Sequence, residues 1–68
     1  MQLKQLAAIR KNRGWSQSKL AREADLNAGT VCQIEKGRQI PYPIQREKIA
    51  NALGLGVEEI DFGQLTYR

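Results

Sequence analysis

The sequence contains no histidine and only one cysteine, Cys32. The missing histidines remove the commonest general base of enzymes, and a zinc site needs several cysteine or histidine ligands. A single cysteine cannot form an internal disulfide and is typical of a reducing, cytoplasmic environment. The chain also lacks the apolar run of about 20 residues that crosses a bilayer. We therefore expect a cytoplasmic protein that is not an enzyme, uses no metal or other cofactor, and does not contact a membrane.

Acidic side chains are absent from the first 22 residues, which contain six of the 11 basic residues. These six are Lys4, Arg10, Lys11, Arg13, Lys19 and Arg22. Three of the seven acids, Glu58, Glu59 and Asp61, cluster near the other end of the chain. The net charge is +4 and the isoelectric point is near 9.6, so the molecule is expected to attract polyanions. We expect its first third to face them.

The 68 residues, 41% of them hydrophobic, are predicted to form a single domain over residues 1–68. A chain of this size buries only about 60% of the surface that it exposes when unfolded, so its stability is expected to be modest. Residues 63–68 are expected to form a flexible tail. Leu65 and Tyr67 in this tail also fit a short strand or a contact with a second subunit.

The spacing of apolar residues predicts an all-α fold of five helices. Leu3, Leu6 and Ile9 recur at intervals of three residues and therefore share one face of a first helix, which Gly14 ends. The later helices are predicted at residues 17–24, 28–36, 43–53 and 57–62.

Residues with strong capping preferences support three of these helix starts. Ser16 and Asn27 suit the N-cap of the second and third helices, and Pro43 suits the first position of the fourth. Only about three residues join the second helix to the third, and Asp25 among them tolerates the positive φ that a tight corner often needs. Residues 16–36 are therefore predicted to form a helix-turn-helix. Trp15, just before the second helix, is interpreted as a packing residue.

The outer face of the third predicted helix carries mostly small or polar side chains. At about 100° per residue, Val31 and Ile34 lie on its inner side. Its outer side carries Gly29, Cys32, Gln33 and Lys36, flanked by Ala28 and Thr30. A helix enters the DNA major groove only if its leading turn is not bulky, and glutamine, threonine and alanine all have base edges that they can contact there. The face also fits an exposed helix of small residues, but the short turn and the basic first third favour DNA.

Several motifs together resemble the helix-turn-helix of the phage repressor and Cro family, also called the XRE family. They are RGWSQSKLA at residues 13–21, Leu26 with Asn27, Thr30 with Val31, IEKGR at 34–38, PYP at 41–43 and KIANALG at 48–54. The resemblance covers residues 3–62. It implies a compact five-helix, lambda-repressor-like DNA-binding domain. In that family the third helix lies in the major groove, the second crosses the backbone, and dimers read half-sites about one helical turn apart.

The resemblance also implies roles for individual residues. The base-facing positions are Ala28, Gly29, Thr30, Cys32 and Gln33, and the phosphate-contacting positions are Ser16, Gln17, Lys19, Asn27, Lys36 and Arg38. Arg10 and Glu35 occupy the positions of a partly buried ion pair that ties the first helix to the third. The chain departs from the family pattern at Asp25, where glycine is usual, and at Ala28 and Gly29, where longer polar residues are usual. Gln33 is then the main candidate for reading a base, and DNA shape is expected to supply other specificity.

Two classes of function remain open at this point. The first is a sequence-specific, double-stranded DNA-binding regulator of transcription, expected to be a repressor that acts as a homodimer on a two-fold operator without a small-molecule ligand. The second is a protein-interaction module, such as an antitoxin that holds its partner, with the apolar loop at residues 40–43 and the tail as its docking surface. An enzyme is the weakest reading, because the sequence shows neither paired carboxylates in a cleft nor a phosphate-binding glycine loop.

Overall fold

A computed structural model of the protein describes residues 3–62 and has four α-helices in this range. Helix α1 spans Leu6–Asn12, α2 spans Gln17–Glu23, α3 spans Ala28–Glu35 and α4 spans Pro43–Leu53. A 3₁₀ turn at Val57–Glu59 follows α4. Two short strands, β1 at Lys4–Gln5 and β2 at Ile60–Asp61, pair in parallel. The predicted tail at 63–68 lies outside the described residues.

Local features account for the starts of α2, α3 and α4 and for the ends of α1 and α4. The hydroxyl of Ser16 and the amide oxygen of Asn27 each accept a hydrogen bond from the backbone N–H three residues later, at 3.0 and 2.8 Å, so both predicted N-caps are confirmed. Pro43 is the first residue of α4, as predicted. Gly14 and Gly54 follow α1 and α4 with φ of +73° and +69°, a left-handed conformation that costs glycine little.

The core lies between the inner faces of the four helices and β2. Its buried side chains are Leu6, Ile9, Leu20, Ala21, Ala24, Val31, Ile34, Ile49, Ala50, Leu53 and Ile60. Helix α2 is at the centre of this arrangement, since it packs on both α3 and α4. The short helices are therefore stabilised mainly by burial of their apolar faces, because helices of this length are marginal alone.

The prediction of a fifth helix at residues 57–62 is wrong. The chain makes a 3₁₀ turn there and then becomes extended, with φ −117° and ψ 133° at Ile60. A six-residue helix would leave most of its backbone N–H and C=O groups without intrahelical partners. Pairing with β1 instead supplies partners to Ile60 and Asp61, and it places the Ile60 side chain in the core. The Glu59 carboxylate accepts a hydrogen bond from the Gly56 N–H at 2.6 Å, which closes the turn.

The first helix also begins later than the apolar spacing predicts. Leu3 precedes β1 and is 51% exposed, so its predicted place on the helix face with Leu6 is wrong. Pairing with β2 holds Lys4 and Gln5 extended, with Lys4 opposite Ile60. The strand pair thereby joins the basic end of the sequence to its acidic end.

Candidate nucleic-acid interface

One side of helix α3 packs against the rest of the protein. Val31 and Ile34 are fully buried on that side, against α2 and the rest of the core. Gly37 ends the helix with φ of +73°, and its N–H donates to the Ile34 carbonyl at 3.1 Å. The orientation of α3 about its own axis is thus set by apolar burial.

The outer face of α3 is partly exposed to solvent. Gly29 is exposed, and Thr30, Cys32 and Gln33 are half-buried. Ala28, the fifth predicted base-facing residue, is also half-buried and packs partly against the core. Because none of these five side chains is long except that of Gln33, the outer face of α3 presents little side-chain bulk to a partner.

The turn between α2 and α3 is a left-handed corner. Asp25 has φ of +58°, which confirms the prediction of a positive φ at this position. The next N–H, that of Leu26, donates to the Ala21 carbonyl at 2.8 Å and closes the end of α2. The Asp25 carboxylate lies 3.4 Å from the Lys48 ammonium, so the corner also contacts α4. The two helices are therefore joined within residues 24–27.

Arg10 and Glu35 form an ion pair between α1 and the last turn of α3. Arg10 Nε donates to Glu35 Oε2 at 2.7 Å and Nη2 donates to Oε1 at 3.0 Å, while Nη1 donates to the Trp15 carbonyl at 2.8 Å. The two side chains are 10% and 5% exposed. The hydrogen bonds to Glu35 raise the pKa of Arg10 more than burial lowers it, and the charge of the carboxylate raises it further. The guanidinium is thus held charged beside its partner.

Gln17 is bound to the same carboxylate. Its Nε2 donates to Glu35 Oε1 at 2.9 Å, and the side chain is half-buried at the start of α2. One amide N–H that was expected to meet a phosphate is therefore used within the protein. Nothing in the sequence signals this bond, because 18 positions separate the two residues.

The remaining predicted phosphate-contacting residues differ in whether their polar groups are already bound within the protein. Lys36 and Arg38 are exposed and have no ion-pair partner within residues 3–62. The Ser16 hydroxyl and the Asn27 amide oxygen are both occupied as helix caps. Lys19 is 3.2 Å from the Glu23 carboxylate. Among the predicted phosphate-contacting residues, the cations without an ion-pair partner within residues 3–62 are therefore the two that follow α3, Lys36 and Arg38.

The sequence interpretation missed the surroundings of Trp15. Its predicted packing role is confirmed, since the side chain is half-buried against the core. In addition, the charged ends of Arg13 and Lys19 lie 5.6 and 5.5 Å from the centre of its ring. The available signal was their closeness in sequence, because Trp15 directly precedes the N-cap Ser16 and Lys19 is in the first turn of α2.

Replacing Asn27 with alanine is expected to lower the free energy of unfolding by about 1 kcal/mol, because the Thr30 N–H then loses its acceptor at the start of α3. Urea unfolding measures the change. Asn27→Ser is the control, since serine is an equally good cap and should retain most of the stability. Equal losses for alanine and serine would show that the amide does not act as a cap.

Residues 3–62 contain no cluster of three or more side chains able to ligate a metal. Within the same residues, no helix has the length and apolar character needed to cross a membrane. Cys32 is a free thiol on α3.

Two short helices joined by a left-handed corner, the second with a buried inner side and an open outer side, define a helix-turn-helix protein. A family model described as a helix-turn-helix domain matches residues 4–62, and the chain belongs to this family. No curated protein and no solved structure matches the chain. Membership indicates a DNA-binding regulator in general terms, and domains of this family are typically not enzymes.

Proposed function

We propose that this protein is a sequence-specific regulator of transcription, of the Cro and repressor type, that inserts α3 into the major groove of double-stranded DNA. It acts as a homodimer on a two-fold operator, as a repressor in the cytoplasm. The observation that carries the proposal is the outer face of α3, whose small or polar side chains are partly exposed while the inner face is buried in the core. A helix with this division fits a groove about 12 Å wide without rearranging.

The charges around α3 support the same proposal. Lys36 and Arg38 follow the outer face and are exposed, so they are available for phosphates on either side of the groove. Neutralising phosphates releases counterions, so we expect affinity to fall with salt at a slope of about −0.9 for each phosphate contacted. Gln33, also on the outer face, has the amide that can pair with two groups of an adenine.

The test separates base reading from phosphate contact. Selection of bound duplexes from a random pool first provides the operator and shows whether it is two-fold symmetric. Gln33→Ala is then expected to reduce discrimination at one base pair by about 1–3 kcal/mol. Lys36→Ala is expected to weaken binding to all duplexes alike and to make the salt slope shallower by about 0.9. The role assignment is wrong if the two variants change affinity and specificity in the same way.

A protein-interaction module is the second candidate, and one observation favours it. Tyr42 and Ile44 at the start of α4 are 63% and 58% exposed, which is unusual for large apolar side chains so close together. Pro41 beside them is buried and Ile40 is half-buried, so the apolar surface is narrower than the sequence of the loop suggests. A gel shift with random duplex at low salt discriminates the two candidates: absence of any shift would favour the docking module.

A further inference from the structure

The chain has a single tryptophan, and it is held rigidly. The ring of Trp15 packs against the core. Its backbone is fixed at both ends, since its N–H donates to the Arg10 carbonyl at 3.2 Å and its carbonyl accepts from Arg10 Nη1 at 2.8 Å. The indole ring is therefore held in place just before the start of α2.

Two cationic side chains lie close to the indole ring. The guanidinium of Arg13 and the ammonium of Lys19 are 5.6 and 5.5 Å from the ring centroid. A cation within about 6 Å of the ring is attracted by the negative charge on the aromatic face. The indole thus restricts the charged ends of both side chains.

The two cations differ in their other contacts. Arg13 also donates a hydrogen bond to the Leu53 carbonyl at the end of α4, which ties its guanidinium to the protein. The other contact of Lys19 is an exposed pair with Glu23 four residues on, with side chains 41% and 44% exposed, and such pairs are weak. The Lys19 ammonium is therefore oriented by the ring yet remains accessible to an external anion.

We propose that Trp15 is a positioning residue that holds the ammonium of Lys19 ready for a phosphate of duplex DNA; the inference rests on the function proposed above. A lysine loses rotamer freedom when it contacts a phosphate, and a side chain that is already restricted in the free protein loses less. Trp15 touches neither base nor phosphate in this arrangement. Its effect on affinity is transmitted through Lys19 alone.

A double-mutant cycle tests the coupling. The dissociation constants of the wild type, Trp15→Leu, Lys19→Ala and the double variant are measured with the selected duplex. Lys19→Ala is expected to weaken binding about three- to tenfold when Trp15 is present, the range expected for one ordered side chain, and less than about twofold in the Trp15→Leu background. Trp15→Phe is expected to restore most of the coupling, because phenylalanine retains an aromatic face.

Lys36→Ala is the matched control, because Lys36 directly follows α3 and is in no ring contact within residues 3–62. Its effect is expected to be equal with and without Trp15. The proposal is overturned if Lys19→Ala has the same effect in both backgrounds, or if Lys36→Ala is coupled to Trp15 as strongly. The second result would mean that the tryptophan acts only through the stability of the fold, which circular dichroism of each variant monitors independently.

A measurement on the free wild-type protein covers the case in which Trp15→Leu does not fold. The ring current of the indole is expected to shift the side-chain methylene protons of Lys19 upfield in the NMR spectrum, and Trp15→Phe is expected to retain a smaller shift. Unshifted methylene protons would overturn the proposal without any DNA present. Failure of the wild type to bind any duplex would instead overturn the proposed function, so the two failures are distinguishable.

Discussion

Replacing Arg10 with methionine is expected to lower the free energy of unfolding by about 3–5 kcal/mol, the usual cost of removing one partner of a buried ion pair. The Glu35 carboxylate, whose side chain is 5% exposed, then keeps Gln17 as its one side-chain donor within residues 3–62. The Trp15 carbonyl loses its donor as well. A domain of this length has about 3–10 kcal/mol of stability in total, at roughly 0.05–0.15 kcal/mol per residue. The loss is therefore a large share of the total, and the variant is expected to unfold at a much lower urea concentration than the wild type.

Urea unfolding followed by circular dichroism measures this loss, and two variants control it. The double variant Arg10→Met, Glu35→Leu is expected to recover most of the stability, because apolar residues often replace a buried pair without loss. Lys48→Met removes one partner of an exposed pair, with side chains 38% and 93% exposed, and is expected to cost at most about 1 kcal/mol. The ion pair has no such structural role if Arg10→Met unfolds at the same urea concentration as Lys48→Met.

Replacing Gly29 with glutamate is expected to change stability and DNA affinity in opposite directions. Among the described residues, a Cβ at this position meets the Asn27 amide oxygen alone, at an ordinary contact distance of 3.5 Å, so the backbone has room for a side chain to begin here. Replacing a glycine within a helix raises stability by roughly 0.5–1 kcal/mol, because the new residue loses less conformational freedom on folding. An acidic side chain in the first turn also interacts favourably with the helix dipole. The free energy of unfolding should therefore rise.

The same substitution places a negative charge on the outer face of α3, where the proposed function puts phosphates and base edges. We expect the affinity for the selected operator to fall at least about a hundredfold, equivalent to about 2.7 kcal/mol. Gly29→Gln is the matched control, because it has the same shape and no charge and should retain much more of the affinity. If glutamate and glutamine at this position bind operator equally well, α3 does not face DNA.

The starts of α2, α3 and α4 could be predicted from the sequence because their causes are local. Ser16 and Asn27 cap the helices that they precede through an N–H three residues away, and Pro43 opens α4 through its own fixed φ. The division of α3 into inner and outer faces was also predictable, since helical geometry alone places Val31 and Ile34 together. These predictions depend on neighbours within one or two helical turns.

The errors arose where distant segments meet. Apolar residues at Val57 and Ile60 suit a short helix, but residues 60–61 find partners in β1, at the other end of the described chain. The same pairing takes Leu3 out of the first helix. Local spacing favours a helix in both places, and the hydrogen bonds of the strand pair outweigh that preference. Residues 57–62 are in addition too few to satisfy their backbone groups as a helix.

By itself the sequence determined the order of the helices, the corner between α2 and α3, and the small, polar character of the surface that α3 shows to solvent. Only the tertiary structure decided which polar groups are left for a partner. It commits one N–H of Gln17 to Glu35, sets Lys19 over an indole, and leaves Lys36 and Arg38 unpaired within residues 3–62. The reason is physical: a side chain is available to DNA only if no neighbour already holds it, and packing brings together neighbours such as Gln17 and Glu35, 18 positions apart in the chain.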